Sequence, residues 1–185
     1  GFYAADALIT SDLKVEVNLI EKLCAPYGLV RTGVAPDHPL IKKSIEKFAV
    51  MAEPEEFNYF GNVAVGKDIT VDQLKESHHA VIITMGAETD RKLGIPGEDL
   101  KGSHTATEFV AWYNGHPEYR EREFDLSHET AVIIGQGNVA ADVARILSKT
   151  VDELKCTDIS QHALDVLEDS KVKNIYVVGR RGPAQ

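Results

Sequence analysis

The chain has 185 residues, a formal net charge of −9 at pH 7 and 43% hydrophobic residues, enough for one packed core or two small ones. No apolar run reaches the ~18 residues of a membrane helix, and the acidic balance argues against nucleic acid or an anionic membrane as a partner, since both demand clustered Lys and Arg. Cys24 and Cys156 form no C-x-x-C and no metal-ligand spacing, which suits a reducing compartment, argues against disulfide exchange and leaves both reading as structural.

Gly1 to Leu8 reads as the last glycine of a G-x-G-x-x-G run opening a small-residue helix, and residues 15–20 as the strand that follows. Glu21 then falls about 20 residues after Gly1, where a dinucleotide fold carries the acid that binds an adenosine ribose. The competing reading is an exposed acid at a strand end. On the functional reading the first strand and glycines are missing and the chain is a fragment, so the absence of a leader peptide carries no information.

Residues 27–39 form a Gly/Pro-punctuated loop, too irregular for a helix and too long for a turn. A helix with Ile41, Ile45 and Phe48 on one face is expected next, then strands at 62–65 and 80–85. His78 and His79 lack a Cys or carboxylate companion spaced to complete a metal site. Residues 86–102, with Gly94, Pro96 and Gly97 among charges, break the periodicity and mark the crossing between two domains, 1–94 and 95–185. A helix through Phe109, Val110, Trp112 and Tyr113 leads the second.

The clearest motif follows. The apolar strand 131–134 runs into Gly135-Gln136-Gly137-Asn138-Val139-Ala140 and then into a helical pattern of Val139, Val143, Ile146 and Leu147. Gly135 allows the tight turn, Gly137 lets the backbone approach a pyrophosphate, and the small Ala140 lets helix and strand pack closely. The strand 174–179 leads into Arg180 and Arg181, where an NAD site would carry an acid. Two guanidiniums there suit a 2′-phosphate, the competing reading being a solvated basic turn. The gap from motif to arginines exceeds the usual ~20 residues, so a helical insertion is expected at 160–167. An acid closing the first signature and arginines closing the second separate a flavin site from an NADP site.

The runs Gly28-Leu29-Val30-Arg31, Gly33-Val34-Ala35-Pro36-Asp37-His38-Pro39, Phe60-Gly61-Asn62-Val63, Gly86-Ala87-Glu88, Ile95-Pro96-Gly97-Glu98, Trp112-Tyr113-Asn114-Gly115, Gly135-Gln136-Gly137-Asn138-Val139-Ala140, Asp142-Val143-Ala144-Arg145-Ile146-Leu147, Thr157-Asp158-Ile159 and Gly179-Arg180-Arg181-Gly182-Pro183 closely resemble adrenodoxin reductase and the bacterial ferredoxin-NADP reductases of that type. The resemblance spans the whole chain. It implies an α/β architecture of two dinucleotide-binding, Rossmann-like units: a glutathione reductase-type FAD domain (1–94) with an inserted NADP domain (95–185), both incomplete.

By the same resemblance, Glu21 binds the FAD ribose, and Leu29 and Val65 contact the flavin nucleotide, largely through backbone. Gly135, Gln136, Gly137, Asn138 and Val139 cradle the NADP pyrophosphate, Arg180 and Arg181 take its 2′-phosphate, and His38 and Asp142 stand near the flavin as candidate catalytic residues. The implied enzyme passes electrons from NADPH through FAD to a ferredoxin-like iron-sulfur protein, in the cytoplasm or, in a eukaryote, the mitochondrial matrix. An acidic ferredoxin needs a basic docking face that this acidic chain does not display, and the chain alone is expected to be inactive. Two other readings stay open: the NADPH-oxidising small subunit of a glutamate synthase, and a nucleotide-binding module without redox activity.

Overall fold

The computed structural model describes residues 1–87, 89–180 and 182. They form an α/β protein of two compact units, one comprising Gly1–Arg31 and Lys42–Glu88, the other Thr32–Ile41 and Thr89–Gln185. The second unit thus takes in the segment with Asp37 and His38, which the sequence places in the middle of the first.

The first unit is built from helix α1 (Phe2–Ile9), strand β1 (Val17–Ile20), the short helices α2 (Leu29–Thr32) and α3 (Pro39–Lys42) at its chain crossings, helix α4 (Ser44–Met51), strand β2 (Phe57–Phe60) and helix α5 (Val71–Ser77). β1 and β2 pair in parallel with Val17 opposite Phe57 and Ile20 opposite Phe60. Parallel strands need a crossover connection, and α4 supplies it. Its buried Phe48 and Met51 pack on Phe2 of α1, with Phe2 and Phe48 stacked at 5.1 Å and Phe2 and Phe57 at 5.6 Å. Such aromatic contacts add to the burial that holds this small core.

The second unit contains α6 (Ala106–Tyr113), β3 (Thr130–Ile134), α7 (Asn138–Ser148), α8 (Val151–Leu154), α9 (Gln161–Glu168) and β4 (Asn174–Val178). β3 and β4 are parallel, Thr130 opposite Asn174 and Ile134 opposite Val178, joined through α7, α8 and α9. Ala140, Val143 and Ile146 form the buried face of α7 at a spacing of three residues. Val143 and Ile146 share one core with α6, where every residue from Phe109 to Tyr113 is buried, and with Ala163, Leu164 and Leu167 of α9. The expected insertion is α9, with Ser160 as its N-cap. Thr70, Thr105 and Thr150 begin α5, α6 and α8 with complete capping boxes, each satisfying two otherwise unpaired groups.

Four expectations need correction. The strand expected at 62–65 lies earlier, at Phe57–Phe60, where the aromatic run suits a half-buried pleat. At 62–65 the backbone turns instead: Asn62 has φ +59°, and only a single bridge from Val65 to Ile69 remains. Residues 80–85 form no strand, because among the described residues no ladder pairs them with β1 or β2; Ile83 and Met85 stay 70% and 80% exposed. The loop 27–39 contains α2. Both cysteines are exposed free thiols rather than packing residues.

Candidate functional site

In both units the candidate binding residues gather at the carboxyl ends of parallel strands, where α/β sheets bind ligands. In the first unit, Glu21 directly follows β1. Its N–H donates to Phe60 O (2.9 Å), and its own carbonyl accepts from Val63 N–H (3.0 Å). Asn62 N–H donates to Leu23 O (3.1 Å), so the loops after β1 and β2 are stitched together. One carboxylate oxygen of Glu21 accepts from Leu23 N–H at 3.1 Å. Leu29 and Val65 are 75% and 48% exposed, large apolar side chains without core contacts. Tyr27 has φ +90°, a conformation costly for a bulky residue. A Cβ on Gly61 would lie 2.7 Å from the Tyr59 ring and 2.9 Å from Cys24 O, so only glycine fits there.

In the second unit the glycine turn joins β3 to α7. Gly135 has φ +135° and its N–H donates to Val178 O at 2.8 Å. Gly137 is the N-cap of α7, with no side-chain cap bond and no acid in the first turn. A Cβ there would meet nothing within 4 Å. The first N–H groups of this helix, from Asn138 onward, therefore face open space with a partial positive charge, while α5, α6 and α8 are closed by threonines. Gln136 lies against the strand that follows: a Cβ on Gly179 would fall 2.1 Å from its Cδ. The parallel register thus brings the turn beside Gly179 and the exposed Arg180. Arg181 lies outside the described residues, as do Glu88 and Pro183 of the quoted runs.

A polar cluster joins the 32–41 segment to α7. Arg145 grips the nearly buried Asp37 (5% exposed) at two points, Nε to Oδ2 at 2.5 Å and Nη2 to Oδ1 at 2.7 Å. Lys149 Nζ adds a third bond at 2.7 Å. Hydrogen bonding from Arg145 holds the Asp37 carboxyl far below the usual carboxylate range, against the opposing effect of burial. The same pairing, Asp37 first, raises Arg145. His38 Nε2 sits 3.0 Å from Asp142 Oδ1 and 2.9 Å from Arg145 Nη2, and Arg145 Nη2 is 2.8 Å from Asp142 Oδ1. His38 and Asp142, 104 residues apart, are brought together. Asp142 lies in the second turn of α7, past the range of its dipole. Beneath, the Tyr113 hydroxyl is buried without a partner among the described residues; burial, then the charges of Asp142 and Asp37, push its pKa up.

Asp37, Arg145, Lys149 and Tyr113 were not singled out by sequence reasoning. Asp142, Arg145 and Lys149 follow one another at spacings of three and four, a polar stripe along one helix face. That stripe was the available signal; its partner Asp37, over a hundred residues away, had none.

Strand pairs that end on nucleotide-type loops, with an uncapped glycine-initiated helix, define an α/β protein with candidate nucleotide-binding sites. No family model matches the chain. It is 55% identical over 185 residues to the NADPH:adrenodoxin oxidoreductase, mitochondrial, of Salvelinus fontinalis, covering all of this chain and 37% of that protein. It is 50% identical over 190 residues to the NADPH-ferredoxin reductase FprA of Mycobacterium leprae, covering 42% of it. Against the solved structure of Mycobacterium tuberculosis FprA in complex with NADPH the TM-score is 0.96, at 49% identity over the whole chain and 42% of that one. Over its whole length the chain is thus similar to proteins named as adrenodoxin reductases and ferredoxin reductases, and it spans about two fifths of the length of these relatives.

Proposed function

We propose that this protein is a FAD-dependent oxidoreductase that passes electrons from NADPH to a ferredoxin- or adrenodoxin-like iron-sulfur protein. The single observation that carries the reading is the uncapped start of α7 at the Gly135–Gly137 turn, set beside Gly179 and Arg180. Open space over Gly137, unpaired N–H donors and a guanidinium next to them fit a pyrophosphate and a 2′-phosphorylated ribose. In the first unit, Glu21 at the carboxyl end of β1 and the exposed Leu29 and Val65 fit the adenosine ribose and flavin nucleotide of FAD. On this reading residues 1–94 belong to a FAD domain and 95–185 to an NADP domain, Rossmann-like units of the glutathione reductase kind.

When bound, the two cofactors supply hydride transfer and single-electron release. The residues of this chain bind and orient. Gly135, Gln136, Gly137, Asn138 and Val139 hold the pyrophosphate, Arg180 and Arg181 select the phosphorylated ribose, and Glu21 anchors the other adenosine. His38 and Asp142 hold a proton at the imidazole Nε2 next to the redox site. The relatives named as adrenodoxin and ferredoxin reductases support the iron-sulfur partner, and the mitochondrial designation of the Salvelinus protein supports a mitochondrial location for a eukaryotic source. Among the described residues no helix is long and apolar enough to cross a membrane.

The test is the visible spectrum of the protein at the length of its relatives, followed on adding NADPH and then a ferredoxin. Flavin bands that bleach with NADPH and recover with oxidised ferredoxin are expected. A protein without flavin, or one bleached equally well by NADH, defeats the reading.

A further inference from the structure

Arg145 Nη2 has two hydrogens and three acceptors within 2.9 Å: Asp37 Oδ1 at 2.7 Å, Asp142 Oδ1 at 2.8 Å and His38 Nε2 at 2.9 Å. The two carboxylates are the stronger acceptors, because charge-assisted bonds outrank bonds to a neutral ring nitrogen. Asp37 cannot release its share: it is nearly buried, is gripped at two points by Arg145, and is held by Lys149. No Arg145 hydrogen is left for His38. Since His38 Nε2 also lies 3.0 Å from Asp142 Oδ1, it must bring its own hydrogen and donate it there.

We infer that Asp37 is a positioning residue: by holding Arg145 it decides which ring nitrogen of His38 carries the proton. A neutral imidazole has one N–H. With that hydrogen fixed on Nε2, the lone pair is left on Nδ1, which has no hydrogen-bond partner among the described residues. The half-exposed ring therefore offers a proton acceptor at Nδ1. Without Asp37, an Nη2 hydrogen is released toward His38 Nε2, which then accepts, and the ring proton moves to Nδ1. The site would present a donor where it had an acceptor. The inference rests on the reading that His38 serves the redox site, but the tautomer is measurable independently of it.

The test is 15N NMR of the flavin-loaded protein labelled at the histidine ring nitrogens, at a pH where His38 is neutral, with its signals assigned by their loss in His38→Gln. The expected wild-type pattern is a protonated Nε2 and a bare Nδ1. Asp37→Ala should exchange the two positions for most of the population, Arg145→Met should leave them as in wild type, and the double variant should return to the wild-type pattern. A proton on Nδ1 in the wild type overturns the inference, as does an unchanged pattern in a folded Asp37→Ala. If Asp37→Ala does not fold, the wild-type pattern decides alone. The proposed role of His38 at the redox site fails separately, if His38→Gln reduces its flavin with NADPH at the wild-type rate while the wild-type tautomer pattern holds.

Discussion

Asp37 and Arg145, 108 residues apart, form a two-point ion pair with bonds of 2.5 and 2.7 Å. It ties the loop that carries His38 to the helix that carries Asp142. Removing one partner leaves the other without its counter-charge, and for buried pairs that costs about 3–5 kcal/mol. Arg145 and Lys149 are 31% and 27% exposed, so Asp37→Asn should cost about 2–3 kcal/mol at pH 7, toward or below the low end. The Asp37 carboxyl is depressed in the folded state. Its contribution is therefore present above the unfolded carboxyl pKa near 4 and is lost as pH falls toward the folded value. Urea unfolding of wild type and Asp37→Asn between pH 7 and pH 2 should show the gap closing on acidification. A gap that stays constant with pH would remove the ion pair as its cause.

The two glycines of the turn should respond differently. Gly135 needs φ +135°, so Gly135→Ala introduces strain of about 1–3 kcal/mol and lowers the melting temperature. At Gly137 a Cβ meets nothing, so Gly137→Ala should cost less than about 1 kcal/mol yet weaken NADPH binding at least tenfold by filling the space a phosphate needs. Thermal unfolding paired with NADPH titration separates the two. Equal effects on stability would mean that the turn serves folding alone.

Glu21 has both a loop bond and a proposed ribose bond. Glu21→Gln keeps an oxygen to accept from Leu23 N–H and removes the charge. The lost charge-assisted part, about 1.5–3 kcal/mol, should lower FAD retention by about ten- to a hundredfold with little change in melting temperature. Flavin retained through gel filtration at dilute protein is the measurement. Full retention would take Glu21 out of the FAD site.

Tyr113 buries a hydroxyl with no partner among the described residues. An unsatisfied buried group costs about 1–3 kcal/mol, so Tyr113→Phe should be neutral or stabilising in denaturant unfolding. Destabilisation beyond about 1 kcal/mol would reveal a bonded hydroxyl.

On the proposed reading, Arg180 and Arg181 discriminate only through the 2′-phosphate. Replacing both by Ala should raise KM for NADPH and leave NADH nearly unchanged. At about 1.5–3 kcal/mol per contact, the preference should shift by about two to four orders of magnitude, less where the contacts are coupled or screened. Diaphorase activity with an artificial acceptor reads this without ferredoxin docking. Equal losses with both nucleotides would assign the arginines to the shared pyrophosphate or to structure.

Local chemistry was readable from sequence alone. The glycine turn, the strand before it, α7, α6 and the α9 insertion are all written in residues next to one another, where period and turn propensity act. Glu21 directly after β1 and Arg180 just past β4 stand where their spacing from Gly1 and from the glycine turn put them, whereas Leu29 and Val65 were named only by the family resemblance. The strand at Phe57–Phe60 was missed because residues 57–60 and 62–65 have similar propensity, and the left-handed Asn62 and crowded Gly61 that choose between them depend on Cys24 and Tyr59 packing nearby. Residues 80–85 have a strand's composition, but a strand also needs a ladder partner, which composition does not supply. Only tertiary structure decided the Asp37, His38, Asp142, Arg145 and Lys149 cluster. Its bonds join positions more than a hundred residues apart, and no local periodicity encodes which distant carboxylate will use up a guanidinium's hydrogens.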